Sequence, residues 1–493
     1  MIAFADFTYR YAGAARPALD GINLHIQAGE FVVVAGPSGC GKSTLALAIG
    51  GYLHHQFEGK AQGDVHVDGV AVGQRSLYEV ADRVGLVQQN PENQFCTLSV
   101  ADEVAFGLEN RRMDPAEIVA RRDEALAIVG GEALLHRDLA TLSGGEMQKV
   151  AIASMIAAHP QVLVFDEPTS NLDPSATRRI FDVLERIRHE AGITIVVIEH
   201  KLGYLARFEP RLILMEEGRI VDDDARIAPE PPPTPRTATH DTPPPGPVLM
   251  QAEHLSHDYG PRRVLDDVDV ALRAGELVAL MGDNGSGKTT FLRCLMGLLS
   301  PTAGRVAMLG RDTGGRSDRP PVSALVEQVG YLFQNPDHQL LGDTVWHDAT
   351  LLGRNLGHLE QVEPRAERLL AECGLEPYRD RHPFRLSYGE KRRLNLVAMA
   401  AHAPKVLLAD EILIGQDRER ADYLMGHLRR IADEGGCVVL ALHDTAMALR
   451  YADRVLFFEA GRVIADGAPQ EVLGSGAALA GRDYDAYLVE VTA

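Results

Sequence analysis

The chain has 493 residues, 45% hydrophobic and 24% charged, with a formal net charge of −20 and both halves acidic. That length predicts two to four domains with large apolar cores, and it excludes a wholly disordered chain. The acidic balance disfavours a broad nucleic-acid surface, and no run of about 18 apolar residues offers a membrane span.

The N-terminal residues 1–10 lack the basic-then-apolar pattern of a signal peptide. Residues 2–11 read as a β section, and the apolar run 31–35 as a strand entering the glycine loop GPSGCGKST at 36–44. Residues 102–139 are rich in Ala, Glu and Arg and predict helix. LSGGE follows at 142–146, VLVFDE at 162–167, and a second apolar strand at 193–198 leads to His200. Residues 225–247 hold nine prolines. Such a stretch builds no core and, as polyproline at about 3.1 Å per residue, reaches about 70 Å, enough for one flanking segment to rotate and face the other. The same order then returns: a β section at 249–259, a strand at 277–281, GDNGSGKTT at 282–290, LSYGE at 386–390, VLLADE at 406–411 and a strand at 437–442. Lys42 to Lys288 is a shift of 246, Gln89 to Gln334 of 245, Ser143 to Ser387 and Asp166 to Asp410 of 244, and His200 to His443 of 243. One domain has been copied once. The predicted boundaries are 1–224, a linker at 225–247, and 248–493. Strands alternating with helices predict an α/β fold with a mostly parallel sheet and a helical insertion in each copy.

G-x-x-x-x-G-K-[ST] after an apolar strand is a phosphate-binding loop. Gly36, Gly39 and Gly41 let backbone N–H groups turn inward, and the helix that follows presents its N-terminus to an anion. Lys42 would reach the β and γ phosphates and Ser43 would hold Mg²⁺; Lys288 and Thr289 repeat this. The loops as a whole are Gly36, Pro37, Ser38, Gly39, Cys40, Gly41, Lys42, Ser43 and Thr44, and Gly282, Asp283, Asn284, Gly285, Ser286, Gly287, Lys288, Thr289 and Thr290. One such loop could be a plain strand–helix turn; two in register argue for the site. Asp166 and Asp410 end apolar strands where a carboxylate can enter a Mg²⁺ shell. Glu167 and Glu411 follow and could polarise an attacking water, although two acids at a strand end can also be mere solvated caps. Cys40, beside Lys42 at a helix start, should have a lowered pKa. Its alkylation should block ATP hydrolysis, and ATP should protect it; a small residue that merely tolerates the turn is the alternative. Five scattered cysteines without a C-x-x-C pair predict neither disulfides nor a zinc site, and a reduced cytosolic setting. His54 and His55 form no metal constellation.

LSGGE about 20 residues before Asp166, with the phosphate loop and VLVFDEPTSNLD, resembles the signature of ABC ATPases. The resemblance covers nearly the whole chain, twice. It implies two P-loop, ABC-type nucleotide-binding domains, each with a RecA-like mostly parallel sheet, an N-terminal antiparallel β section and an inserted helical subdomain. It also implies a head-to-tail domain pair that binds and hydrolyses ATP with Mg²⁺. By position it places Lys42, Ser43, Gln89, Asp166, Glu167 and His200 in one site with Ser387 and Gly389 of the second copy. Lys288, Thr289, Gln334, Asp410, Glu411 and His443 fall in the other, with Ser143, Gly144 and Gly145. Glu146 and Glu390 complete the signatures. Gln89 and Gln334 would touch Mg²⁺ and the water, and His200 and His443 the γ phosphate. Tyr11 and Tyr259 would stack on adenine, although singly such tyrosines more often pack. Asp173 and Asp417 match the loop that communicates between sites. Tyr388 replaces the first signature glycine, and DEPTSNLD becomes DEILIGQD, so the Lys42 site is expected to be the slower.

QNPENQFCTLSVADEVAFGLEN at 89–110 and QNPDHQLLGDTV at 334–345 resemble the ATPase subunits of energy-coupling-factor importers of vitamins and transition-metal ions. LSYGEKRRL at 386–394 also fits that group. The family implies a transmembrane T component and a substrate-binding S component as partners, and a peripheral place on the cytoplasmic face of the membrane. The alternatives are a soluble tandem ABC ATPase acting on ribosomes, against which the proline-rich linker and acidic charge speak, and a fused ATPase of another importer class.

Overall fold

A computed structural model of the chain describes residues 1–170, 172–227, 246–309, 311–312, 325–413, 416, 418–474 and 479. It divides into two compact units, Met1–Glu230 and Pro231–Ala493.

Each unit carries two sheets. In the first, a four-stranded antiparallel sheet runs in the order Leu19–Ile26, Ile2–Tyr11, Gly59–Val67, Val70–Ala71. A six-stranded sheet runs Arg219–Ala225, Arg211–Glu216, Phe31–Ala35, Thr194–Ile198, Val162–Asp166, Val84–Val87. Every neighbour in it is parallel except the outermost pair, Arg211–Glu216 with Arg219–Ala225. The second unit repeats the plan. Its antiparallel sheet runs Arg262–Arg273, Val248–Tyr259, Ala303–Met308, Arg311–Asp312. Its larger sheet runs Val329–Leu332, Val406–Asp410, Cys437–Ala441, Leu277–Met281, Arg454–Glu459, Arg462–Gly467, with one antiparallel pair at the same edge.

The central strands are short and branched because both of their faces are covered. Val32, Val34, Val164 and Val196 pack with Leu45 and Ile49 of the helix Lys42–Ile49. Val33, Leu163, Phe165 and Val197 pack on the opposite face with Val150 and Ile152 of the helix Gly144–Ile156. Val34 and Asp166 both pair with Ile198, so the three strands end flush. Whatever follows them emerges along one edge, the carboxyl ends of a parallel sheet, where ligand sites in such folds gather.

The helical insertion predicted at 102–139 is a pair of helices, Val100–Asn110 and Pro115–Ile128, followed by short turns before Gly144–Ile156. Asp114 caps the second helix by accepting from Ala116 N at 2.9 Å, and Pro115 sits where a helix needs no N–H. Val345–Leu356, Leu359–Glu372 and Tyr388–Ala400 are the counterparts. Ile227, after the last strand of the first unit, packs on its core. Of the proline-rich stretch, residues 228–245 lie outside the described residues. Among the described residues no helix is long and apolar enough to cross a membrane.

Candidate functional site

The loop after Phe31–Ala35 needs its glycines for two different reasons. Gly36, Gly39 and Gly41 have φ of 151°, 83° and 109°. A Cβ on Gly36 would lie 2.1 Å from Met215 O, and one on Gly41 2.3 Å from Ala18 O, whereas one on Gly39 would meet nothing within 4 Å. Two positions therefore require space and the third only a left-handed backbone. The second copy repeats this: a Cβ on Gly282 would meet Phe458 O at 2.2 Å and one on Gly287 would meet Val264 O at 2.8 Å, while Gly285 has only Arg262 Nη2 at 3.9 Å. Lys42 is buried inside its loop, and Nζ donates to Gly36 O at 2.8 Å and Pro37 O at 3.0 Å. Lys288 does the same toward Gly282 O and Asp283 O, at 2.8 and 3.0 Å. A cationic group is thus aimed at the loop's own concavity in each copy.

The first helical turn then meets the end of the neighbouring strand. Ser43 Oγ donates to Asp166 Oδ1 at 3.0 Å, and Thr289 Oγ1 to Asp410 Oδ1 at 2.9 Å. A hydroxyl and a carboxylate so placed are hard oxygen donors of the kind Mg²⁺ takes, so the residues fit that ion. Burial pushes the Asp166 carboxyl up to about 6, with Glu167 adding to the rise and Ser43 opposing it. Asp410 is likewise raised by burial and by Glu411.

Glu167 and Glu411 each sit in a clasp. Gln89 Nε2 donates to Glu167 Oε2 at 2.9 Å, and His200 Nε2 lies 3.1 Å from Oε1. Gln334 Nε2 donates to Glu411 Oε2 at 2.9 Å, with His443 Nε2 3.0 Å from Oε1. Burial would raise Glu411, but the His443 hydrogen bond and charge, with Lys288 and Arg392, overcome it and hold the carboxyl below its ordinary value. Both glutamates have left-handed backbones, φ 49° and 50°. A non-glycine residue there is strained by about 1–3 kcal/mol and persists where the surroundings over-determine it. A carboxyl group oriented by an amide and an imidazole, beside the glycine loop, can orient and polarise a water. The structure thus brings together, within each unit, the lysine, hydroxyl, aspartate and glutamate of the motifs with the glutamine and histidine that the resemblance adds.

The glutamines sit on a built loop. Asn90 accepts from Glu92 N at 3.1 Å, and Asn335 from Asp337 N at 3.0 Å, capping the turns Pro91–Asn93 and Pro336–His338. Gln94 Oε1 accepts from Gln88 N at 3.2 Å, and Gln339 Nε2 donates to Tyr331 O at 3.1 Å, tying each loop back to its strand. Buried Glu103 accepts from Cys96 N and Thr97 N at 3.0 Å, and buried Asp348 from Leu341 N and Gly342 N at 2.9 and 2.7 Å. Leu98 and Leu341 stand beside these bends, 86% and 76% exposed.

Other expected residues have local partners. Tyr11 OH lies 3.3 Å from Thr44 Oγ1, and its ring meets Tyr9 and Phe57 edge-on. Tyr259 is exposed beside His257. Ser143 and Ser387 cap their helices in capping boxes with Glu146 and Glu390. Asp173 caps the helix Pro174–Ala191, accepting from Ala176 N at 2.6 Å. Asp417 lies outside the described residues. Cys40 corrects the expectation of an activated thiol: it is buried, and burial pushes its pKa up despite the pull of Lys42 4.0 Å away. Distance along the chain suggested an electropositive thiol; the desolvation that wins is not visible there.

Three features escaped the sequence reading. Thr169 Oγ1 donates to buried Glu199 Oε2 at 2.6 Å, and Glu199 Oε1 accepts from His200 N and Lys201 N at 2.8 and 3.1 Å. Lys201 Nζ donates to Thr169 O, Leu172 O and Thr177 Oγ1 at 2.8, 3.2 and 3.4 Å, bracing the turn after Glu167. The second copy has Leu413, Leu442 and Asp444 at the three matched positions. Tyr331, matched by Leu86, donates to Asp410 Oδ2 at 3.2 Å. Arg392, matched by Gln148, reaches Glu411 O at 3.1 Å. Each shows in the sequence only as a difference between the copies.

The ABC transporter family model matches residues 19–170 and 265–413. A protein of Methanosarcina acetivorans named as an ABC transporter ATP-binding protein is 34% identical over 502 residues, covering 99% of this chain and 94% of its own. YkoD of Bacillus subtilis, named for HMP/thiamine import, is 31% identical over 512 residues, covering 96% of this chain and 92% of its own. A solved structure described as ribosome-bound archaeal Pelota and ABCE1 shares the fold, with a TM-score of 0.66 at 21% identity over 94% of this chain and 79% of that chain.

Proposed function

The chain belongs to the ABC transporter family and is an ATPase; from that premise we propose that it powers an importer of the energy-coupling-factor type, for a vitamin or transition-metal ion. The observation that carries this is the glutamine loop. Its QNP-acid-x-Gln sequence is fastened alike in both copies, it presents Leu98 and Leu341 to the outside, and its glutamine grips the glutamate. A membrane partner pressing on that loop would shift Gln89 or Gln334, and with it Glu167 or Glu411. The near full-length likeness to YkoD supports the same reading.

Within each copy the loop amides and Lys42 or Lys288 bind the phosphates. Ser43, Gln89 and Asp166, or Thr289, Gln334 and Asp410, would hold Mg²⁺, which supplies charge neutralisation on the phosphate oxygens. Glu167 and Glu411 accept a proton from the attacking water, while Gln89 and Gln334 orient them. His200 and His443 hold the far carboxylate oxygen and face the γ phosphate. Tyr11 and Tyr259 stack on adenine.

Glu167→Gln with Glu411→Gln, tagged and recovered from solubilised native membranes, tests the proposal. Recovery with one large and one small hydrophobic membrane protein is the expected result. Recovery away from membranes, with ribosomal proteins or alone, overturns the importer reading.

A further inference from the structure

Two of the positions at which the signature helix of the second copy departs from the first touch each other. Tyr388 stands where the first copy has Gly144, and Arg392 where it has Gln148. Four residues apart on the helix Tyr388–Ala400, they share a face. Arg392 Nη2 donates to Tyr388 OH at 3.0 Å, and the guanidinium lies 4.9 Å from the tyrosine ring centre. Its other arm, Nη1, donates to Glu411 O at 3.1 Å. Tyr388 OH in turn lies 3.5 Å from Gln334 O.

Arg392 is only 5% exposed, its Nε has no partner, and among the described residues no carboxylate pairs with it. A desolvated cation without an ion pair is costly unless its position is useful. What it holds is the carbonyl of Glu411, whose backbone is left-handed, φ 50°. Pinning that carbonyl denies the turn its easiest relaxation, rotation of the Glu411 peptide, and so keeps the carboxylate between Gln334 and His443. Tyr388, 46% exposed, is the outer end of the same chain of contacts. In the first copy a glycine and a glutamine whose Nε2 is buried without a partner leave no such connection.

We propose that Arg392 is a positioning residue for Glu411, and that Tyr388 makes its hold depend on the signature segment. This rests on the reading above, in which Glu411 takes the proton of the attacking water. A displacement of the signature segment is then relayed through Tyr388 and Arg392 to Glu411.

The test uses the full chain. In a Glu167→Gln background, turnover reports the Glu411 site; in a Glu411→Gln background it reports the other. Arg392→Gln installs the residue that the first copy accommodates. It is expected to lower kcat at the Glu411 site about tenfold with the KM for ATP within about twofold, and to lower it at least about fivefold less at the Glu167 site. Tyr388→Phe, which removes one hydroxyl, is expected to lower kcat about threefold and to add nothing to Arg392→Gln when the two are combined. It carries the test alone should Arg392→Gln not fold. Unchanged kcat in both variants, additive losses, or equal losses at the two sites overturn the relay. Turnover unaffected by either glutamate substitution overturns the reading of the glutamates, and the relay with it.

Discussion

Alanine at Gly41 and at Gly39 should have very different consequences, although both glycines lie in one loop with positive φ. At Gly39, φ is 83° and an added Cβ meets nothing within 4 Å. Its cost is the left-handed backbone alone, about 1–2 kcal/mol. In a unit of this size that lowers Tm by a few degrees, at about 2–4 °C per kcal/mol. At Gly41 the same strain applies at φ 109°, and the Cβ also falls 2.3 Å from Ala18 O, more than about 1 Å inside normal contact. Forcing an atom into a packed position adds about 1–3 kcal/mol, and a shift of about 1 Å at Gly41 is delivered directly to Lys42 and Ser43. A misplacement of that size costs about 100-fold in a positioned reaction. Gly39→Ala is therefore expected to bind and hydrolyse ATP within a few-fold of the parent chain, and Gly41→Ala to lose about two orders of magnitude at its site. Thermal melting and fluorescent-nucleotide binding measure both, in a Glu411→Gln background so that the second copy is silent in turnover. Equal damage from the two substitutions would refute the division of the loop into residues needed for space and one needed only for conformation. The matched pair Gly285→Ala and Gly287→Ala should keep the order with a smaller gap, because the contact at Gly287 is 2.8 Å.

Three further outcomes follow from the geometry. A raised thiol pKa leaves less thiolate at any given pH, so iodoacetamide at pH 8 should label exposed Cys96 well before buried Cys40; peptide mapping that finds Cys40 labelled first contradicts the burial argument. Lys201→Met strands the two carbonyls of the braced turn and should lower the stability of the first unit by about 1–3 kcal/mol in urea melts, and an unchanged midpoint would remove the brace. Leu98→Glu with Leu341→Glu should leave the basal ATPase rate of the purified chain intact while abolishing co-purification with membrane proteins; retained co-purification would mean the glutamine loops are not the docking surface.

Much of this molecule is legible without coordinates. The runs predicted at 31–35 and 277–281 are strands with those bounds, because five apolar residues followed by a glycine loop leave little alternative. The internal duplication supplies the rest, since each motif is tested by its own copy, and Gln89, Glu167 and His200 converge as the resemblance to ABC ATPases implies. Proximity across the sheet edge is not legible. Thr169, Glu199 and Lys201 are 30 and more residues apart in part, and meet only because Val162–Asp166 and Thr194–Ile198 end in register. Tyr388 reads as a degraded signature until Arg392 is seen beneath it. Cys40 shows the opposite failure, where a correct neighbour, Lys42, predicts the wrong sign because burial acts more strongly.

The left-handed backbone shared by Glu167 and Glu411 bears on how such a chain ages. A duplicated domain is free to let one copy decay, and most residues decay toward lower stability. Here the slope is reversed. Replacing either glutamate by glycine would release the strain of a positive φ while ending the chemistry, so drift at these two positions runs toward a more comfortable but inert turn. That both copies keep the strained glutamate is what the proposed use of both sites predicts.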